Sequence, residues 1–229
     1  MIRILLATML GIASPVFGSP YDPLIDYAAR SHGVDPIVLR AITAQESRKN
    51  PWTFNADGEP FQFKDKESAV RVLWSLTQAP WMVKAILNSG QRSRRFFTTE
   101  SSARAYAYSA QSAGSLRLRS DDSREVSKGE IRIRPLRLIN TDIGIAQVNY
   151  RWHGQGIATV QMWFDPSYNL NYAAAHLAEL KKAHGSDIAA AGYYHSATPK
   201  YRQRYLANFM PKYNEEKRLA SSVSLATAR

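Results

Sequence analysis

The sequence predicts a mainly α fold that carries one small β-hairpin and a long basic insertion. Three observations point there. Apolar residues recur at helical spacing in at least four stretches, several of them bounded by capping residues. Two aromatic runs flank Asn55-Ala56-Asp57-Gly58, which is hairpin-turn chemistry. Residues 84–137 hold 12 Lys/Arg against 5 Asp/Glu and break the helical pattern.

The elements follow in order. Arg3 and the apolar run Ile4 to Phe17 read as a secretory signal, too short to span a bilayer, with cleavage expected after Gly18. No later stretch is apolar and long enough for a membrane span. Tyr21 to His32 is expected as a first helix, stopped by Gly33. Asp35-Pro36 supplies an N-cap and a first-turn proline for a second helix from Ile37 to Ser47, ended by Asn50-Pro51. Trp52 to Phe63 forms the hairpin, and Ser68 to Leu76 a third helix.

The insertion, about residues 84–137, is expected to be partly a mobile loop. Within it, Ala103 to Ala113 can be helical, and Ile131 to Leu138 can form a strand. A loop of that kind predicts that removing residues 100–128 spares catalysis and alters recruitment. Helices return at Leu170 to Leu180, stopped by Gly185. The next is capped by Asp187 and runs through Tyr194, and the last starts at Thr198-Pro199 with Tyr201, Tyr205 and Phe209 four apart. The polar tail 214–229 is expected to be disordered, leaving 19–213 as the folded domain.

Bulk chemistry narrows the function. There is no cysteine, which excludes disulfides, thiolate nucleophiles and cysteine-based zinc sites. The net charge of +11 falls to about +10 once Arg3 is removed with the signal, and points to acidic partners. Export makes nucleic acid the least suited of these.

Glu46 is the leading candidate for chemistry. It lies four residues after Ile42 and seven after Leu39, on their face of the second helix, near the negative end of the helix dipole. Shelter and dipole both favour a protonated carboxylic acid, which can donate a proton to a leaving oxygen.

Four segments then fall in order: Gln45-Glu46-Ser47, Gly144-Ile145-Ala146-Gln147-Val148-Asn149, Asp165-Pro166 with Asn169-Leu170, and Ala191-Gly192-Tyr193-Tyr194-His195. This order resembles the soluble lytic transglycosylase family, over residues 21–51 and about 141–209. The resemblance implies a lysozyme-like α+β fold and peptidoglycan glycan strands as substrate; the export signal implies a periplasmic location. It implies cleavage of the β-1,4 bond between N-acetylmuramic acid and N-acetylglucosamine, with a 1,6-anhydro end as product. Glu46 would act as acid and then as base, with no cofactor, no metal and no second carboxylate. By the same resemblance Gln147 and Asn149 would contact sugar, Ser47 would sit near the acid, and Tyr194 would orient Glu46, with Tyr193 as the alternative. His195 stands where the family usually has Asn. No paired ligand spacing accompanies it, so it is not expected to hold a metal.

A two-carboxylate hydrolase would instead need Asp57 or Asp142 beside Glu46. Asp57 reads better as part of the hairpin turn. The aromatic hairpin and Tyr150-Arg151-Trp152-His153 look like members of the family that serve conjugation or type IV secretion machinery; the basic insertion is expected to engage acidic wall polymers, a membrane surface or a component of such a machine, or to be a solvated loop with no partner. Trp52 and Trp152 are candidate sugar platforms or core residues. A non-catalytic wall-binding protein and a hydrolytic muramidase are the competing readings.

Overall fold

The structure, a computed structural model, describes residues 18–119 and 125–227. The signal expected at 1–18 lies outside the described residues except for Gly18. Among the described residues no helix is long and apolar enough to cross a membrane.

The architecture is α+β. Helix α1 (Asp22–Ser31) leads through Gly33, at φ +68°, into α2 (Pro36–Ser47). The Asp35 carboxylate accepts from the Ile37 amide at 2.8 Å, the cap that the sequence predicts. The short helix α5 (Val160–Trp163) precedes α6 (Pro166–His184), and α6, α7 (Asp187–His195) and α8 (Pro199–Thr227) complete the helical body. Ile25, Leu39, Ile42, Leu170, Leu177 and Phe209 are fully buried at its centre. Ser186, not Asp187, caps α7. Asp187 instead receives the Asp35 amide and Lys181.

Two small sheets sit beside this body. The first has the order β2-β1-β7-β8, from β1 (Thr53–Ala56), β2 (Glu59–Gln62), β7 (Thr141–Ile143) and β8 (Val148–Asn149). Its hairpin turns on Asp57 and Gly58, both at positive φ, as a tight two-residue turn requires. Helix α3 (Lys66–Gln78) packs Ala69, Leu73 and Leu76 into the core that this sheet forms with Phe54, Trp163 and Phe164.

Most of the stretch expected to be partly a mobile loop is a second sheet with its own helix; the helix expected over Ala103 to Ala113 is present, and the strand expected over Ile131 to Leu138 spans Glu130–Pro135. Strands β3 (Trp81–Ile86), β4 (Arg92–Phe97), β5 (Arg117–Arg119) and β6 (Glu130–Pro135) pair in the order β4-β3-β6-β5. Helix α4 (Glu100–Gly114) covers one face, burying Val83, Ala85 and Ile131 against Ala103 and Ala107. The local basic charge is one face of a sheet, since Arg and apolar residues alternate along β6. Removing 100–128 would strip α4 and β5 from this core. The expected outcome is therefore loss of folding of the second sheet, read as insoluble protein or lost β signal in circular dichroism, and not the neutral deletion that a loop predicts.

The tail also departs from expectation. Helix α8 continues through Thr227 where disorder is expected from Asn214. Glu216 explains the extension. It is buried, and its Oε1 meets Lys49 Nζ at 2.7 Å. Lys49 also bonds Asp22 at 2.7 Å, and Arg40 reaches Asp22 and Asp26. This network ties α1, α2 and α8 together. Arg48 and Lys49 stand at positive φ, so α2 ends there, before Asn50-Pro51.

Candidate active site

The site is built where the end of α2 meets the loop 144–147. Asn169 holds that loop from below. It is fully buried; its Oδ1 accepts from the Ala146 amide at 2.9 Å, and its Nδ2 donates to the Ile143 and Trp163 carbonyls at 2.9 and 3.0 Å. Gly144, at φ +82°, leaves no room for a side chain: an added Cβ would lie 2.5 Å from Asn169 Nδ2 and 2.6 Å from the Trp163 oxygen. The Asp165 carboxylate caps α6 on the Tyr168 amide at 3.0 Å, which fixes where Asn169 stands.

Glu46 sits at this junction, half-buried, on the last turn of α2. Burial raises its pKa from 4.5 to about 7, and the negative charge of nearby Asp142 pushes the same way. The Tyr205 hydroxyl lies near enough to the carboxyl to favour its charged form in part. It falls short of a full hydrogen bond, since that buried hydroxyl has no bonded partner. Glu46 is thus a carboxylic acid still half protonated near neutral pH, the state that general acid catalysis needs.

Asp142 lies on β7. Burial raises its pKa, opposed by the Asn149 amide, whose Nδ2 donates to Asp142 Oδ1 at 2.7 Å. Asp57, the other carboxylate considered, is buried in the hairpin turn and paired with Arg134 at 2.8 Å. It belongs to the scaffold.

The expected substrate-contact residues divide. Tyr194 is brought to the site, since the charges of Glu46 and Asp142, after burial, hold its hydroxyl protonated. That hydroxyl donates to the Ala146 carbonyl at 2.8 Å and not to Glu46. It therefore fixes the loop, while Tyr205 takes the place beside the acid. Tyr193 stacks on His184, with ring centroids 3.4 Å apart. Ser47 is fully buried, and its hydroxyl lies 2.6 Å from the Ile145 carbonyl and 3.0 Å from that of Thr43. It cannot touch a substrate and instead ties α2 to the loop.

Gln147, at φ +49°, donates Nε2 to the Gly144 carbonyl at 2.8 Å, leaving Oε1 as its atom for a ligand. Asn149 donates its amide to Asp142 and accepts the Trp152 amide at 3.3 Å, so it positions Asp142. His195 lies flat on the Tyr205 ring, with centroids 4.4 Å apart and 9° between planes, and burial lowers its pKa. It braces the tyrosine as a neutral ring. Trp52 packs partly into the core beside the first sheet, whereas Trp152 is 72% exposed in a π-helical turn over Tyr150–Gly154, with Arg151 above its ring.

Tyr205 is the site residue that sequence reasoning placed only as part of a helical stripe. Its spacing to Phe209 is legible, but its approach to Glu46 depends on how α8 packs against α2. Among the described residues no group of three or more His, Asp or Glu side chains is arranged to hold a metal. Comparison with family models, with curated proteins and with solved structures returns no match for this chain, so the functional reading rests on this geometry and on the order of its motifs.

Proposed function

We propose that this protein is an exported lytic transglycosylase of lysozyme-like fold that cleaves the β-1,4 bond between N-acetylmuramic acid and N-acetylglucosamine in peptidoglycan. One observation carries the reading: a sheltered carboxylic acid, Glu46, with a pKa near 7 at the junction of four family-like motifs. Protonated Glu46 gives its proton to the glycosidic oxygen as the C1–O bond breaks. The resulting carboxylate takes the proton of the muramic acid 6-hydroxyl as that oxygen closes onto C1. The products are a free 4-hydroxyl and a 1,6-anhydro end, and Glu46 returns to its starting state. Gln147 Oε1 is the acceptor placed to receive an amide or hydroxyl of the sugar. The periplasm is the proposed location, and a conjugation or type IV secretion apparatus the proposed setting.

Asp142 favours a second reading. A carboxylate close enough to raise the pKa of Glu46 can instead activate water, as in two-carboxylate glycosidases. Digestion of purified sacculi separates the two, because hydrolysis gives reducing ends one water heavier than the anhydro ends. The transglycosylase reading predicts anhydro products in ordinary water and no incorporation from heavy-oxygen water. It further predicts that Asp142→Asn slows the reaction less than about tenfold, since Asp142 acts there only through the charge it places near Glu46. The alkaline limb of the pH profile should move to lower pH, because removing that negative charge lowers the pKa of Glu46. Reducing ends, with a loss of about 10²–10⁴-fold in Asp142→Asn, would establish hydrolysis instead.

A further inference from the structure

The turn that follows β8 points large apolar side chains at solvent. Trp152 is 72% exposed, Ile157 58% and Met162 43%, all within residues 152–162. The backbone beneath them is held from below. Tyr150 packs against the cluster that contains buried Trp163 and Phe164. The Gly154 carbonyl accepts from the Ile157 amide at 3.3 Å and from the Trp163 indole at 3.4 Å. A Cβ on Gly154 would lie 2.7 Å from the Tyr150 ring, so the turn closes only around glycine. His153 Nδ1 lies 3.1 Å from the Tyr172 hydroxyl, and the Thr159 hydroxyl accepts from the Met162 amide at 3.3 Å. Buried side chains thus anchor the turn, and the three exposed ones are gathered around Gly154.

The charge of this segment has one sign. No Asp or Glu falls between Asp142 and Asp165, and Arg151 holds its guanidinium 4.8 Å from the centre of the Trp152 ring. The exposed polar neighbours Gln155, Thr159 and Gln161 are neutral. The whole chain carries +11. An indole beside a guanidinium, with aliphatic tips next to it, suits the headgroup level of a bilayer. The indole settles at the interface, the aliphatic tips reach the first acyl carbons, and arginine pairs with lipid phosphate. A sugar ring would use Trp152 alone, since Ile157 and Met162 have no donor to offer its hydroxyls.

We propose that the turn over residues 151–162 docks this protein on an anionic bilayer surface, with Trp152, Ile157 and Met162 at headgroup depth and Arg151 on a lipid phosphate. Attachment is peripheral and separate from the chemistry at Glu46. The turn adjoins the candidate site, because Asn149 accepts the Trp152 amide and donates to Asp142. Docking therefore holds that site close to the lipid surface.

The absence of cysteine allows one introduced thiol to report one place. Ile157→Cys carries a nitroxide spin label, and Ser112→Cys, exposed on α4, is the control. The full chain is mixed with vesicles of phosphatidylglycerol and phosphatidylcholine. Collisions of the label at position 157 with a water-soluble nickel chelate should fall about fivefold or more, and those with oxygen should rise. The label at position 112 should keep its aqueous values. Vesicles of phosphatidylcholine alone should change neither label. Adding Trp152→Ser to the labelled chain should raise the anionic lipid needed for half of the change about tenfold. A label at position 157 that stays in water overturns the proposal, as does insertion that is equal on neutral vesicles or unaffected by Trp152→Ser. Shielding of the label by peptidoglycan strands and not by vesicles would assign the turn to glycan and overturn it too. None of these outcomes depends on whether sacculi are cleaved, so the docking surface and the proposed activity fail separately.

Discussion

Glu46→Gln should lose about 10²–10⁴-fold in the rate of sacculus digestion while the fold stays intact. Glutamine keeps the shape of the side chain but has no proton to give at the glycosidic oxygen. The same substitution should stabilise the protein at alkaline pH, and the sign follows from linkage. The folded-state pKa, about 7, lies above the unfolded value of 4.5. Below pH 4.5 the acid is protonated in both states and costs nothing. Between 4.5 and 7 the unfolded chain ionises first, so stability falls as pH rises. Above 7 the folded protein carries the full cost, on the order of 3 kcal/mol. Glutamine never ionises and escapes it. Thermal unfolding at pH 4 and pH 8 reads this directly: the two proteins should melt nearly alike at pH 4, and the variant should melt higher at pH 8. A variant that digests sacculi at the normal rate would remove Glu46 from the chemistry.

Asn169→Ala should be the most damaging change outside the acid itself. Three buried backbone groups, the Ala146 amide and the Ile143 and Trp163 carbonyls, lose a side-chain partner. Leaving such groups unsatisfied costs on the order of 3 kcal/mol or more together. For a chain of this size, that lowers the melting temperature by roughly 6–12 °C. The effect reaches function because the same loop receives Ser47 at the Ile145 carbonyl and Tyr194 at the Ala146 carbonyl. Released from Asn169, the loop would lose the position in which Ser47 and Tyr194 tie it beside the end of α2. Circular dichroism melting, with sacculus digestion at a temperature where the variant stays folded, measures both consequences. A variant that melts normally and digests normally would show that the loop holds itself.

Local chemistry made much of this readable in advance. Asp35-Pro36, Asp165-Pro166 and Asp57-Gly58 each satisfy or shape the backbone next to them, so a helix start or turn follows from a few neighbouring residues. Glu46 was legible for a related reason: helical spacing alone puts it on the face of Leu39 and Ile42. What escaped depends on contacts far apart in the chain. The second sheet joins β3 to β6 across some fifty residues: alternating Arg and Ile let a strand be read near Ile131, but not the partner strands that make it part of a sheet. The tail reads as polar until Lys49 is seen to need Glu216. The side-chain roles moved for the same cause. Ser47, Asn149 and Tyr194 belong to the right place in the fold, but their hydrogen bonds are spent on backbone and on Asp142, while Tyr205 comes to the acid from the last helix.

The sheltered state of Glu46 can be measured without any substrate. Carbon-detected NMR of the Glu46 side-chain carboxyl, followed from pH 3 to pH 9, should give a midpoint near 7. In Asp142→Asn the midpoint should fall. A midpoint near 4.5 in the wild type would mean an acid open to water and ionised at neutral pH, and would contradict its assignment as the proton donor.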